Sequence, residues 1–595
     1  GGDYVGDPVA IQNGWVGESV GFSPTGITNH NDSKIQIDYQ RYVLGARGDL
    51  PFLDGWKWDA ALQYSHSDGD YSGDIIWDDA ITPYQFRNSL CAGTTTDYRN
   101  APCVDINWYS PQFMAGQFTD AESAFLFGNV TGNTVYEQTS FEAYASGDLF
   151  ELPAGAVGAV IGALYQKDKI DDQPAQAIQD GQAWGDSQAG RTQGEDTTSA
   201  IYGELGVPLL KDVPFADKLQ FTLSGRYTDV DSYGSESTYK AGLNWQIVPQ
   251  FRVRASQGTS FRSPALFELY LASETGFLGQ RAIDPCVNWA ANLASQAISQ
   301  RVADNCAADG IPGTHNGAGS SATIFSSGGF GTLDAETSTS KSLGVVWTPD
   351  FADLQVSLDY FDIEVDNEVT KLGANNILLG CYDSLNFATE PLCNLFERNP
   401  GTGSSTDYLI TTVTDNFLNI ATQRNRGIDL DAVYRTETAW GNLTTRLQVS
   451  KQLEDKQQLL PTSAPLDDNG LAGDPEWVGN FDATLETGPF EFYYGLRYVG
   501  ETSNVERFGS QAQTYQFENV HYVLSTDAVV YHNISVAVEP DEGLNVRLGV
   551  SNLLDEKPPL ITALSDEFDS VGSVALYSQY DFFGRTVFLN VTKKF

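Results

Sequence analysis

The sequence predicts an all-β fold, a transmembrane antiparallel β-barrel, and three observations carry that reading. Apolar and polar residues alternate with a period of two along almost the entire chain, as they do in strands with one oily and one wet face. No stretch approaches the ~18 apolar residues that a membrane-spanning helix needs. The connections alternate between a short turn and a second kind of loop, and all but one of the second kind are long. Barrels that cross a membrane keep their short turns on the periplasmic side and their long loops outside.

Composition agrees. Aromatic residues make up 12% of the chain and Gly occurs 57 times, a balance that favours strands and turns over helices. A length of 595 residues suits several soluble domains, but no shift in composition marks a boundary between them. Lys and Arg number 34 against 78 Asp and Glu, for a net charge of −44. That balance excludes a nucleic-acid partner. It fits either a solvated acidic surface or a loop crown that attracts cations.

Residues 1–34 are rich in Gly, Asn and Asp and read as an extracellular loop region; the barrel runs from 35 to 595. The first hairpin is expected at about 35–49 and 56–70, with Trp56, Trp58, Ala60, Leu62 and Tyr64 on one face. Next come 134–148 with 155–170, then 196–209 with 217–231, where Leu219, Phe221, Leu223 and Tyr227 alternate with Gln220, Thr222, Ser224 and Arg226. A tight SYG connection leads to 235–246 and 250–259. Further pairs follow at 333–347 with 353–366, 420–435 with 442–454, 476–486 with 490–503, and 523–538 with 543–553.

The last strand reads GRTVFLNVTKKF. Val587, Leu589, Val591 and Phe595 share one parity, while Thr586, Asn590, Thr592 and Lys594 share the other with Phe588 as the exception. The total is about 17 strands. Closure of a bacterial barrel takes an even number, so an odd number is expected before Gly1. Outward aromatics such as Trp56, Trp58, Tyr227, Tyr360 and Tyr494 suit the membrane interface.

Six Cys fall into three local pairs, Cys91/Cys103, Cys286/Cys306 and Cys381/Cys393, all in loops. An even count without CxxC points to disulfides and an oxidising compartment; no His stands at zinc-ligand spacing beside them. The run from Asn288 to Cys306 reads as one short helix. Acidic clusters at Asp68–Asp70, Asp78–Asp79 and Asp467–Asp468 read as solvated turns, since DSDGDYSGD lacks the closing Glu of a calcium loop. His315 is the best placed of five His for an axial haem ligand, against the plainer reading of an exposed loop His. There is no nucleophile–base pair, HExxH or phosphate loop, so neither an enzyme nor a metal or cofactor site is expected.

Three motifs add a resemblance. SNLLDEKPP (551–559) with the terminal strand ending at Phe595, ASQGTSFRSPALFELY (255–270) and NRGIDLDAVYR (425–435) resemble, in the same order, segments of the TonB-dependent outer-membrane receptors. The resemblance covers roughly 35–595. It implies a 22-stranded barrel around an N-terminal plug, in the outer membrane of a Gram-negative bacterium, in contact with lipid and lipopolysaccharide. It implies TonB-coupled uptake of a scarce small-molecule or oligomeric ligand such as a siderophore, cobalamin or oligosaccharide. The alternative is a passive porin-like channel. No plug or TonB-contacting box is found in the sequence, so the chain reads as a receptor lacking its plug and first strands.

Arg226, Arg252, Arg254, Arg446, Arg497 and Arg547 fall on the polar parity, facing the lumen or the plug. Loops 71–133, 260–332 and 367–419 are expected to choose the ligand.

Overall fold

The computed structural model describes residue 30 and residues 32–594, apart from 83–90, 109, 318–319, 405, 460–464, 509–511, 516–517, 542, 565–568 and 577–578. Phe595 and nearly all of the expected 1–34 loop region lie outside the described residues.

Seventeen long strands make one antiparallel sheet among the described residues. They are β1 (Ser33–Asp49), β2 (Lys57–Ile76), β3 (Phe127–Leu152), β4 (Gly155–Gln173), β5 (Thr192–Val213), β6 (Ala216–Val230), β7 (Gly234–Val248) and β8 (Phe251–Arg262). After a long insertion come β9 (Glu336–Trp347), β10 (Asp353–Thr370), β11 (Leu418–Thr438), β12 (Gly441–Gln458), β13 (Trp477–Thr487), β14 (Phe490–Val499), β15 (Val529–Asp541), β16 (Leu544–Ser551) and β17 (Thr586–Lys593). Each pairs with its neighbours in chain order. The two-residue strand Leu466–Asp467 adds to the top of β12. Among the described residues β1 pairs only with β2, and β17 only with β16.

The register explains the alternation. Leu443, Leu485, Phe492, Val536, Leu548 and Leu589 are successive partners across six strands. Leu44, Leu62, Phe141 and Tyr165 continue the same face at the other end of the sheet. This apolar band faces away from protein: Val587, Leu589 and Val591 are 60–67% exposed, so they do not line a filled core. The short turns at its lower rim and the strand end beside them carry Phe52, Phe215, Phe351 and Trp440, and Phe150, each 59–79% exposed, which suits rings seated at a membrane interface.

Phe588, the aromatic on the wet parity of β17, lies over Gly549 of β16. A Cβ at Gly549 would collide with its ring. The glycine makes room for the ring, and the ring covers the glycine's bare backbone.

Several boundaries differ from the sequence reading. β2 continues to Ile76 and β3 begins at Phe127, so the loop expected at 71–133 is confined to 77–126. Above the membrane both faces of a strand are wet, and the apolar period that marks a strand fades. The acidic stretch at 68–74 is therefore strand rather than turn: Asn133 Nδ2 donates to Asp68 and Asp70, and Asn129 Nδ2 to Asp74. The single helix expected between Cys286 and Cys306 is two, Trp289–Ala294 and Gln300–Ala308. Gln296 adopts a left-handed φ of 65° between them, and Ser299 caps the second by accepting from Val302 N.

Candidate functional site

The buried apolar clusters of the described residues gather at the long-loop end rather than inside the wall. The largest is shared by two loops. Residues 263–335 supply Ile283, Val302, Ile311 and Ile324; residues 371–417 supply Ile377, Leu378, Tyr382, Ile410 and Val413. A four-stranded sheet joins them. Glu274–Gly279 pairs with Ser321–Ser326, which pairs in parallel with Ile410–Thr414, which pairs with Phe396–Arg398. The disulfides Cys286–Cys306 and Cys381–Cys393 staple the two halves, and Cys91–Cys103 closes the separate 77–126 loop.

Polar links lock the halves together. Gln280 is buried, donates to Ile410 O at 2.6 Å and accepts from Ile410 N at 2.9 Å. Arg398 donates to both oxygens of Asp284, at 2.7 and 2.8 Å, and its Nη1 also donates to Tyr408 O. Its guanidinium lies 5.3 Å from the centre of the Tyr382 ring. Burial pushes the Asp284 carboxyl up, but Arg398 and His315 outweigh it and hold the carboxyl below its ordinary range.

His315 is thus not the exposed loop residue of the plain reading. It is buried, with Nε2 3.6 Å from Asp284 Oδ2, and it meets the Tyr408 ring edge-on. It forms part of a packed charge network.

The root of this module is the FRSP segment. Arg262, at the end of β8, donates to both oxygens of Glu268 at 2.9 and 3.0 Å, and its Nε donates to Glu336 at the start of β9. Glu336 in turn accepts from Val369 N at the top of β10. Arg262 and Glu336 together therefore tie the loop to three strand ends.

Against the module lies a cavity of about 930 Å³. Its walls are Glu274 and Phe277 of the loop sheet, Lys371 before the helix Ala374–Tyr382, Asn375 and Asn376 at its start, Asp415, Gln457 at the top of β12, and Leu459 and Leu466 beyond it. Asp415 is buried and accepts from Gly373 N with both oxygens; burial pushes its carboxyl up. A concave site with an apolar floor and a few convergent polar groups is the usual form of a ligand pocket. Sequence reasoning pointed to the loops but not to these residues. Glu274 and Phe277, Asn375, and Gln457 come from two connections and one strand end far apart in sequence.

The six arginines of the polar parity sit on the face opposite the apolar band. Arg254 pairs with Asp359, Arg446 with Asp431 and Arg547 with Glu491. Arg226 donates to Thr228 Oγ1 and lies over Tyr202. Arg252 keeps a buried Nε without a hydrogen-bond partner among the described residues. Arg497 stands opposite Tyr531 and Asn480. The wall itself thus supplies carboxylates to three of the six.

Comparison with known proteins follows the same lines. Residues 1–553 match the family model described as TonB dependent receptor-like, beta-barrel. Over 45 residues the chain is 40% identical to the vitamin B12 transporter BtuB of Vibrio cholerae serotype O1, covering 8% of this chain and 7% of that one.

Among solved structures, the siderophore receptor PirA from Acinetobacter baumannii matches with a TM-score of 0.54 at 14% identity, over 94% of this chain and 63% of that one. The ferric enterobactin receptor PfeA from Pseudomonas aeruginosa, as a mutant, matches with 0.55 at 14% identity, over 94% and 62%. At these identities the likeness shows the fold alone. The chain spans less than two-thirds of the length of those receptors. The family and these neighbours are transport receptors and not enzymes.

Proposed function

Because the chain belongs to the TonB-dependent receptor β-barrel family, we propose that it forms the wall and ligand-capturing crown of an outer-membrane importer in a Gram-negative bacterium. The observation that carries this reading is the pairing of two features in one chain. An outward apolar band runs through the long strands, and a module of two interlocked loops holds an open cavity above it. The band seats the protein in lipid. The module captures a scarce solute such as a siderophore, a cobalamin or an oligosaccharide, for which the matched transporter and receptors are precedents of fold and family.

In this reading further strands close the wall around a plug, and a TonB-type coupling protein drives release. The rigid crown does the recognition: two disulfides, a shared apolar core and the Arg398–Asp284 pair hold the cavity's walls in place before ligand arrives, which lowers the entropy cost of binding.

The test is uptake by cells carrying the full-length receptor, with and without the energy-coupling protein. Uptake that stops when coupling is removed supports the reading. Uptake that continues unchanged would make the protein a passive channel.

A further inference from the structure

We propose that the crown cavity takes an uncharged, polyhydroxylated ligand, an oligosaccharide chain, rather than an anionic metal chelate. The assignment rests on the uptake reading and narrows it to one ligand class.

The first argument is charge. The four loops 77–126, 263–335, 371–417 and 459–476 carry 21 Asp and Glu against six Lys and Arg. Three of those cations are already committed, Arg99 to Asp79, Arg301 to Asp383 and Arg398 to Asp284. A fourth, Arg281, donates to the backbone of Asn316. Among the described residues lining the cavity a single cation, Lys371, stands with two carboxylates, Glu274 and Asp415. The Lys371 ammonium is turned to its own neighbours, 3.4 Å from Ser326 Oγ and 5.7 Å from the centre of the Phe417 ring. A multiply charged anion would approach through a field of its own sign and lose its hydration without a cationic cradle.

The second argument is the chemistry of the walls. Asn375 and Gln457 present planar amides, although one N–H of Gln457 is already given to Glu368, and Glu274 presents a carboxylate acceptor. Adjacent hydroxyls on a sugar ring are donors and acceptors at the spacing such planar groups can bridge. Phe277 is 53% exposed and lines the same cavity. An unshielded ring beside planar polar groups suits the apolar C–H face of a sugar. Leu278, Ile324 and Leu459 extend that apolar floor. A small cation would gain from the field but leave this floor empty, and Lys371 would repel it.

The test uses the full-length receptor in detergent, titrated by calorimetry with maltoheptaose, cellohexaose and xylohexaose, with ferric tris-catecholate as a trianion, and with spermine as a polycation. The expected result is binding of an oligosaccharide whose affinity is nearly flat between about 0.05 M and about 0.5 M salt. The pair Asn375→Ala and Gln457→Ala should weaken it about tenfold. Phe277→Ala should weaken it too, and hydrogen exchange of the loop module should be unchanged in both variants.

Failure of all three oligosaccharides to bind, or an affinity left unchanged by both the amide pair and the Phe277 variants, overturns the assignment. So does preferential binding of the trianion or of spermine. Either outcome leaves the uptake reading standing, because that reading fails on a different result, transport that ignores loss of energy coupling.

Discussion

Replacing Arg398 with methionine should release the two crown loops from each other without touching the barrel. The Asp284 side chain has no exposed surface and Arg398 only 8%. Their two hydrogen bonds, at 2.7 and 2.8 Å, form a bidentate pair. Removing the guanidinium leaves a buried carboxylate that keeps, among the described residues, Cys286 N and the more distant His315 Nε2. Breaking such a pair from one side costs about 3–5 kcal/mol. At about 1.4 kcal/mol per decade, amides that exchange through opening of the module should speed up by roughly two to three and a half orders of magnitude.

Ile410 N, held by Gln280, reports this opening directly. Hydrogen exchange measured by mass spectrometry on the loop peptides is the assay, with β11 and β12 as unaffected controls. The double variant Arg398→Met with Asp284→Leu removes both charges and should recover most of the loss, since an apolar pair of similar volume is often as stable as a buried ion pair. Exchange in the single variant within about tenfold of wild type, or a double variant no better than the single, would refute the reasoning.

Three further outcomes are expected. Acid should loosen both disulfide-bearing crown units: against burial, Arg398 holds Asp284 down and Arg99 holds Asp79 down. Their folded carboxyls thus titrate below the unfolded ones, so the stabilisation is full above the ordinary carboxylate range and is lost as pH falls through and below it; loop protection, taken relative to the intrinsic amide exchange rate at each pH, that rises or stays flat between about pH 5 and about pH 2 would contradict this. Replacing Cys381 and Cys393 with Ala opens a link of sequence separation 12 and should cost the loop module about 3 kcal/mol on the chain-entropy account, read as faster loop exchange with an unchanged barrel melting temperature. Leu358→Arg, on the outward band between Val345 and Leu430, should cost about 2–4 kcal/mol of folding into bilayers if it lies near the midplane, whereas Ser357→Arg, one residue along on the wet face, should be close to neutral; equal costs would mean the two faces are misassigned.

The strands show why so much of the wall was readable. Leu219, Phe221 and Leu223 share the outward apolar face and Gln220, Thr222 and Ser224 the opposite, polar one, and two faces of unlike surroundings write a period of two into the sequence. Where water lies on both sides that signal stops, and the upper ends of β2 and β3, residues 71–76 and 127–133, read as loop. Arg262 was visible only inside a motif; its pairing with Glu268 and Glu336 explains what the motif does.

The sequence by itself determined the barrel class, the number of long strands present and the three disulfide pairs, because each of these is local: alternation, turn spacing, and two cysteines twelve or twenty residues apart. Tertiary structure alone decided that two loops become one body, that His315 is buried beside Asp284 and Arg398, and that Glu274, Asn375, Asp415 and Gln457 surround one cavity. Those contacts cross up to 183 residues between Glu274 and Gln457, and loops packed by irregular turns and helices carry no repeating pattern from which such a meeting could be read.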